Sequence, residues 1–212
     1  MQARTTSISG LSRDRSRSGE RPRGDKGGLD ETDIKIIQAL KKDSRQNLTE
    51  LAKNVGISRP TVYKRMEYLV KGGFIEFDLC VNIAKLGFTT AHIGLEVKSR
   101  EDKKKLVEVL EKCPRVLLLT CNTTKSNVSA YIYGENMDTL SSHIESLREF
   151  QGAEIVYVFH SGSQTYPRSF RISMYPEKGD KAPCGMNCSK CQNYSQNLCL
   201  GCPATKDYRG FL

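Results

Sequence analysis

Five cysteines fall within residues 184–212, at Cys184, Cys188, Cys191, Cys199 and Cys202. The gaps between them are three, two, seven and two residues. Thiolates at such short spacings converge on one soft metal ion or cluster. Gly185 and Gly201 relax the turns that aim the sulfurs. The stretch is too short to build a hydrophobic core of its own, so the thiols need a reason to be there. Two chemistries compete. In one, Cys188, Cys191, Cys199 and Cys202 hold a tetrahedral zinc ion and Cys184 is spare. In the other, Cys184, Cys188 and Cys191 hold part of an iron–sulfur cluster completed by Cys199 or Cys202, and Pro203 suits a cluster-binding cysteine. The plainer alternative is an unstructured cysteine-rich end.

A different chemistry sits around residues 58–65, where Ser58, Arg59, Thr61, Tyr63, Lys64 and Arg65 lie on one short stretch. Arg and Lys reach guanine edges or phosphates, and Thr touches a thymine methyl. Arg65, like Lys71, suits phosphates or acidic neighbours better than bases. The plainer use of such a helix is a protein contact, and its basic outward face argues for DNA instead.

Three helices must position those residues. Asp30 caps the first, with Ile34, Ile37 and Leu40 at helical spacing. Asn47 caps the second, with Glu50 in capping-box position and Leu48, Leu51, Ala52 and Val55 on one face. Gly56 permits the left-handed turn that ends it. Ser58 caps the third, Pro60 lies in its first turn, and Val62, Met66 and Leu69 face inward. Small Ala52, the Gly56 turn and Val62 have the spacing of a helix-turn-helix, whose second helix enters the major groove.

Beyond the third helix the apolar period changes to two. Phe77 to Ile83 alternates as a strand, and so do Ile93 to Val97 and Val128 to Tyr133. Val116–Thr120 reads as a buried strand and Ile155–Phe159 as a last one. Helices fall at Leu106 to Cys113, opened by Ser99 and closed by Pro114, and at Leu140 to Leu147. From Thr89 onward the order is strand–helix–strand–strand–helix–strand, a ferredoxin-like unit. Cys80, Cys113 and Cys121 read as buried inert thiols, His143 as a packed histidine, and His160 as a candidate neighbour of the cysteine tail.

The segment LDETDIKIIQALKKDSRQNLTELAKNVGISRPTVYKRMEYLVKGGFIEF, residues 29–77, resembles the Lrp/AsnC family of transcription regulators, and the ferredoxin-like unit extends the resemblance to about Gly162. The resemblance implies a DNA-binding winged helix-turn-helix, assembly into dimers or dimers of dimers, and an amino-acid effector held between subunits. Members commonly place a Gly and an Asp in the hairpin after the second strand. Here that hairpin carries Lys125, Ser126 and Asn127, which leaves the effector open. Some Lrp-like regulators also carry a C-terminal cysteine domain of the copper-handling type. The first gap in this tail is narrower, and copper stays an alternative to zinc or iron–sulfur.

Composition agrees with a polyanion partner. The chain has 212 residues and a formal charge of +9. Residues 1–28 carry +4 of it with few apolar side chains, and are expected to form a disordered basic arm. No apolar run is long enough to span a membrane and no secretory leader is visible, so a cytoplasmic protein with reduced thiols is expected.

The expected architecture is α+β. A winged helix-turn-helix (29–77) is followed by a ferredoxin-like βαββαβ domain (78–165), a linker (166–183) and a small Cys-rich metal-binding tail (184–212). The expected function is a non-enzymatic, sequence-specific regulator on double-stranded DNA, a homodimer or higher even oligomer, modulated by metal or redox state at the tail. The alternatives are a purely structural zinc clip, an enzyme of tetrapyrrole metabolism on the same scaffold, and RNA binding through the arm. The second has only three scattered histidines to work with, and the third lacks stacking aromatics.

Overall fold

The structure, a computed structural model, describes residues 28–162, 167, 169–175 and 177–212. The basic arm, apart from Gly28, and the linker residues 166, 168 and 176 lie outside the described residues. The chain divides into two compact units between Glu76 and Phe77.

In the first unit, helices α1 (Glu31–Lys42), α2 (Leu48–Val55) and α3 (Arg59–Lys71) close around Ile36, Leu40, Leu51, Ala52, Val62 and Leu69. Burying a Leu or Ile side chain contributes about 1.5–3 kcal/mol, so these six supply most of the unit's cohesion. The helix starts are where the sequence puts them. Asp30 and Asp33 form a capping box, as do Asn47 and Glu50, and Ser58 caps α3. Gly56 ends α2 at φ +79°, a conformation that costs other residues about 1–2 kcal/mol. The buried stripe of α1 differs from the expected one. Ile36 and Leu40 face the core with Asp33 beside them, whereas Ile34 is 45% exposed. Asp33 tolerates burial because Arg65 of α3 pairs with it at 3.1 Å.

The second unit is built on an antiparallel sheet in the order β3-β4-β2-β5, from β2 (Thr89–Val97), β3 (Val116–Cys121), β4 (Val128–Gly134) and β5 (Ala153–His160). Helices α4 (Arg100–Lys112) and α5 (Met137–Arg148) cover one face. Their Leu106, Leu110, Leu140, Ile144 and Leu147 meet Ala91, Ile93, Leu95, Ala130 and Ile132 of the central strands. The alternation of β2 and β4 thus places one set of side chains in the core. The other set lies on the opposite face, where Thr90, Ser129 and Tyr133 are also buried but part of the surface is open: register sets Leu118, Tyr131, His92 and Phe159 in one row across all four strands. Leu118 is 58% and Phe159 63% exposed.

The strand expected from Phe77 to Ile83 shortens to β1 (Cys80–Asn82), which pairs with β6 (Ser169–Arg171) in a separate two-stranded sheet. Phe77 and Leu79 are exposed, so alternation there does not mark a buried face. Behind this ribbon Ile83, Phe88, Tyr133 and Ile172 form a third apolar cluster, which Leu212 joins.

Residues 177–212 are docked, not tethered. Gly179 pairs in parallel with Thr205, its N–H donates to Ala204 O at 2.9 Å, and Lys206 N–H donates back to Gly179 O. The described part of the expected linker is therefore structured: Ser169–Arg171 pairs with β1, Ile172 packs in the third cluster, and Gly179 and Ala182 bond to the tail. A 3-10 turn (Cys188–Lys190) and a short helix α6 (Gln192–Ser195) carry the first knuckle.

Candidate nucleic-acid interface and cysteine cluster

Helix α3 begins with four exposed side chains, Arg59, Thr61, Tyr63 and Lys64, while Val62 between them is fully buried. The apolar contact of Val62 with the α1–α2 core fixes the rotation of α3 and turns the four outward. Ser58 works at the helix start. Its Oγ accepts from Thr61 N–H at 3.3 Å and lies 2.7 Å from Thr61 Oγ1. Arg65 does something else. Its guanidinium bonds Asp30 and Asp33 at the start of α1, so it braces α3 against α1 and stands apart from the outward row. These hydrogen bonds, that to Asp30 first, raise the Arg65 pKa. The Asp30 carboxyl is lowered by the Asp33 backbone N–H and then by Arg65. Of the six residues picked from sequence, four form an exposed surface of the kind that fits a groove, one caps the helix and one is structural.

The five tail cysteines share one corner of the second unit. Cys202 N–H donates to Cys188 Sγ at 3.4 Å, and the Thr205 hydroxyl lies 3.9 Å from the same sulfur. The two Cys-x2-Cys knuckles therefore meet at Cys188, the one buried member. Cys191, Cys199 and Cys202 are half-buried and Cys184 is exposed. Gly201 turns the second knuckle at φ +83°, where any side chain would be strained and a Cβ would lie 3.0 Å from Asp207 O. Desolvation raises the Cys202 thiol to about 11 and also raises Cys199. Such thiols stay protonated at neutral pH until a cation displaces the proton. Among the described residues, no three of His, Cys, Asp and Glu stand in the arrangement of a metal's ligand set.

What holds this corner was not visible in the sequence. Arg115 and Glu135 form a buried ion pair, Nη2 to Oε2 2.8 Å and to Oε1 3.0 Å, with both side chains 5% exposed. The same Nη2 donates to Gly201 O at 2.7 Å, and Tyr208 O–H donates to Glu135 Oε1 at 2.7 Å. Thr139 Oγ1 accepts from Leu200 N–H at 3.3 Å. The Cys199–Cys202 turn is thus clamped between a guanidinium and a buried hydroxyl. Arg115 Nε is buried without a hydrogen-bond partner among the described residues, and so is Tyr133 Oη. An orphan buried donor costs about 1–3 kcal/mol. Burial opposes the Arg115 charge, and Glu135 more than offsets it.

The remaining thiols and imidazoles divide. Cys80 and Cys121 are exposed, which corrects the expectation of burial. The first sits on the small β1–β6 ribbon and the second at the end of edge strand β3. Cys113 packs beside His143, Sγ to Nε2 3.8 Å, and burial pushes its thiol up to about 12. Cys202 and Cys184 lie near enough to add to that rise. His143 is packed as expected, held neutral by desolvation and by Arg115. His160 lies exposed on β5, paired with Ala91.

The hairpin that departs from the family pattern is filled by its own polar groups. Asn127 exchanges hydrogen bonds with Val97, Oδ1 from N–H at 3.1 Å and Nδ2 to O at 2.8 Å. Asn122 Nδ2 donates to Ser129 Oγ at 2.6 Å, and Ser126 and Tyr157 crowd the space where Gly94 lacks a Cβ.

Comparison with known proteins follows the same division. A family model for winged helix-turn-helix DNA-binding domains matches residues 29–76. Regulatory protein AsnC of Haemophilus influenzae is 30% identical over 132 residues, which cover 59% of this chain and 88% of that protein. The leucine response regulatory protein LrpA of Mycobacterium tuberculosis superposes with a TM-score of 0.60 at 18% identity, over 68% of this chain and 100% of that one. AsnC of E.coli gives 0.55 at 24% identity, over 66% and 94%. About a third of this chain lies beyond each of these structures.

Proposed function

Because this chain belongs to the Lrp/AsnC family of DNA-binding transcription regulators, we propose that it reads a specific duplex sequence with the N-terminal half of α3. Arg59 and Lys64 contact guanine edges or phosphates, Thr61 a thymine methyl, and Tyr63 the sugar–phosphate wall. The observation that carries this reading is the exposed row Arg59, Thr61, Tyr63, Lys64 around the buried anchor Val62. Tyr63, at 58% exposure, is a large ring left in solvent on an otherwise packed helix.

The reader works as a dimer or a higher even oligomer, since two recognition helices address two half-sites about one helical turn apart. The open face of the sheet, with Leu118 and Phe159 at the two ends of its central row, supplies an apolar surface for a second copy. The protein acts without catalysis, in the compartment that holds the DNA. No helix among the described residues is long and apolar enough to cross a membrane. An effector pocket at the hairpin would have to displace the Asn122–Ser129 network, so a small-molecule ligand there is not part of this reading.

The cysteine tail binds a metal, as zinc or an iron–sulfur cluster, with copper the alternative. Its loading biases the dimer toward one DNA-binding state. The gathering of both knuckles at Cys188 supports this.

The test is fluorescence anisotropy with duplex oligonucleotides, selected from a random pool and measured across a salt series. Binding at low ionic strength with a steep salt dependence is expected. Arg59→Ala should relax sequence preference, with a loss of about 1–3 kcal/mol on the preferred site. Lys64→Ala should reduce the salt slope by about one. A full chain that ignores duplex DNA at low salt, apo or loaded, would sink the proposal.

A further inference from the structure

The Cys199–Cys202 turn is held at three backbone points. Its carbonyl at Gly201 is gripped by Arg115, its Leu200 N–H by Thr139, and its Cys202 N–H is spent on the sulfur of Cys188. A backbone N–H aimed at a cysteine sulfur across two knuckles is a device that orients a thiolate for a cation. Under the turn lies a guanidinium that is 4% exposed and whose Nε–H has no partner among the described residues. Arg115 Nη2 reaches the Gly201 carbonyl, one residue from Cys202 and two from Cys199. A thiolate bound to a cation is the acceptor that this donor lacks. Cys184, by contrast, is exposed in the turn closed by Gly185 N–H to Ala182 O, outside the clamped pair of knuckles.

We infer that Cys188, Cys191, Cys199 and Cys202 hold one thiophilic divalent cation of the zinc class as a tetrathiolate, and that Arg115 is its positioning residue, donating from Nε to a metal-bound sulfur. This rests on the metal reading of the tail and narrows it from two chemistries to one. Among the described residues the four sulfurs do not yet stand as a ligand set, so loading must draw them together. Four thiolates and one divalent cation carry a net charge of two minus. The Arg115 cation lies beside that charge, and the β3 and β4 ends that carry Arg115 and Glu135 are thereby tied to the state of the tail.

The experiment uses the full chain, purified reduced and without oxygen, stripped of metal and titrated with cobalt(II). Tetrahedral thiolate ligation gives a sulfur-to-cobalt charge-transfer band in the near ultraviolet and intense visible bands, both bleached by zinc. Cys188→Ser and Cys202→Ser should lose the charge-transfer intensity, while Cys184→Ser keeps it. Arg115→Gln should weaken cobalt binding by about 10–100-fold, the usual cost of removing an outer-shell partner. Arg115→Gln leaves Glu135 buried alone, so Arg115→Gln/Glu135→Gln is measured beside it as a neutral pair that folds. The same loss is expected.

Wild-type protein that develops no such bands overturns both the metal reading and this inference. Bands that appear normally but are untouched by either Arg115 variant overturn the role of Arg115 alone. A coloured protein with stoichiometric iron and sulfide, or loss of the bands in Cys184→Ser, overturns the ligand set. Duplex binding by the same samples is scored separately, so failure of the regulator reading shows as lost DNA affinity with cobalt spectra intact.

Discussion

Replacing Glu135 by Gln changes one atom and tests how the buried corner is held. The carboxylate accepts from Arg115 Nη2 on both oxygens and from Tyr208 O–H, with both ends of the ion pair 5% exposed. Gln keeps the shape and one acceptor oxygen, but its amide cannot balance the guanidinium. If only a hydrogen bond were lost, the cost would be about 1 kcal/mol. Removing one partner of a buried pair leaves an uncompensated charge and costs about 3–5 kcal/mol. The second figure should apply here, a large fraction of the roughly 5–15 kcal/mol that holds a domain. The paired change Arg115→Met/Glu135→Leu removes both charges and should recover about 1–4 kcal/mol, offset in part by the donor that Gly201 O then lacks. The measurement is urea unfolding followed by far-ultraviolet circular dichroism, with limited proteolysis of the tail as a second probe. The two units need not unfold together, so the transitions are fitted separately. A Glu135→Gln cost below about 1 kcal/mol would show the corner to be wet and refute the reasoning.

Three further outcomes are expected. Asn47→Ala removes an acceptor for Thr49 and Glu50 N–H, both at 3.0 Å, and should cost the helical unit about 1 kcal/mol in urea unfolding. The His143 imidazole, driven down to about 3 by desolvation and then by Arg115, stays neutral in the folded chain while the unfolded chain takes a proton near about 6.5. Stability from this residue is therefore full above about 6.5 and falls as pH drops toward 3, and proton NMR should show its ring unshifted between about pH 7 and 4.5. Leu118→Arg with Phe159→Glu places charge at both ends of the open-face row and should halve the mass in sedimentation without changing the circular dichroism. An unchanged mass would remove that face from the assembly.

The helix-turn-helix was legible because its signals are local. Asp30, Asn47 and Ser58 cap helices through atoms two or three residues away, and Gly56 marks its own turn. The four-stranded unit was legible because apolar alternation in β2 and β4 reports which face meets the helices. Alternation failed at Phe77 and Leu79, which sit at no buried face, and the usual burial of free thiols failed at Cys80 and Cys121, on a small ribbon and a sheet edge. Helical period alone put Ile34 inward, since it does not register that Asp33 has a partner 32 residues away. The cysteines of the tail could be picked by spacing. Their supports could not, because Arg115 reaches Gly201 across 86 residues and Tyr208 reaches Glu135 across 73. An Arg after a proline and a Glu after a glycine carry no periodic mark. Sequence set Arg65 apart from the base-reading residues, toward phosphates or acidic neighbours, but could not name Asp30 and Asp33, which lie 35 and 32 residues away.

The clamp on the Cys199–Cys202 turn makes the cysteine segment a graft that cannot be transplanted. A synthetic peptide of residues 184–212 keeps every sulfur yet lacks the guanidinium, the carboxylate and the threonine hydroxyl that shape its second loop. Moved onto another carrier, the segment would keep its composition but lose its geometry, because the mould belongs to the α5–β3–β4 scaffold.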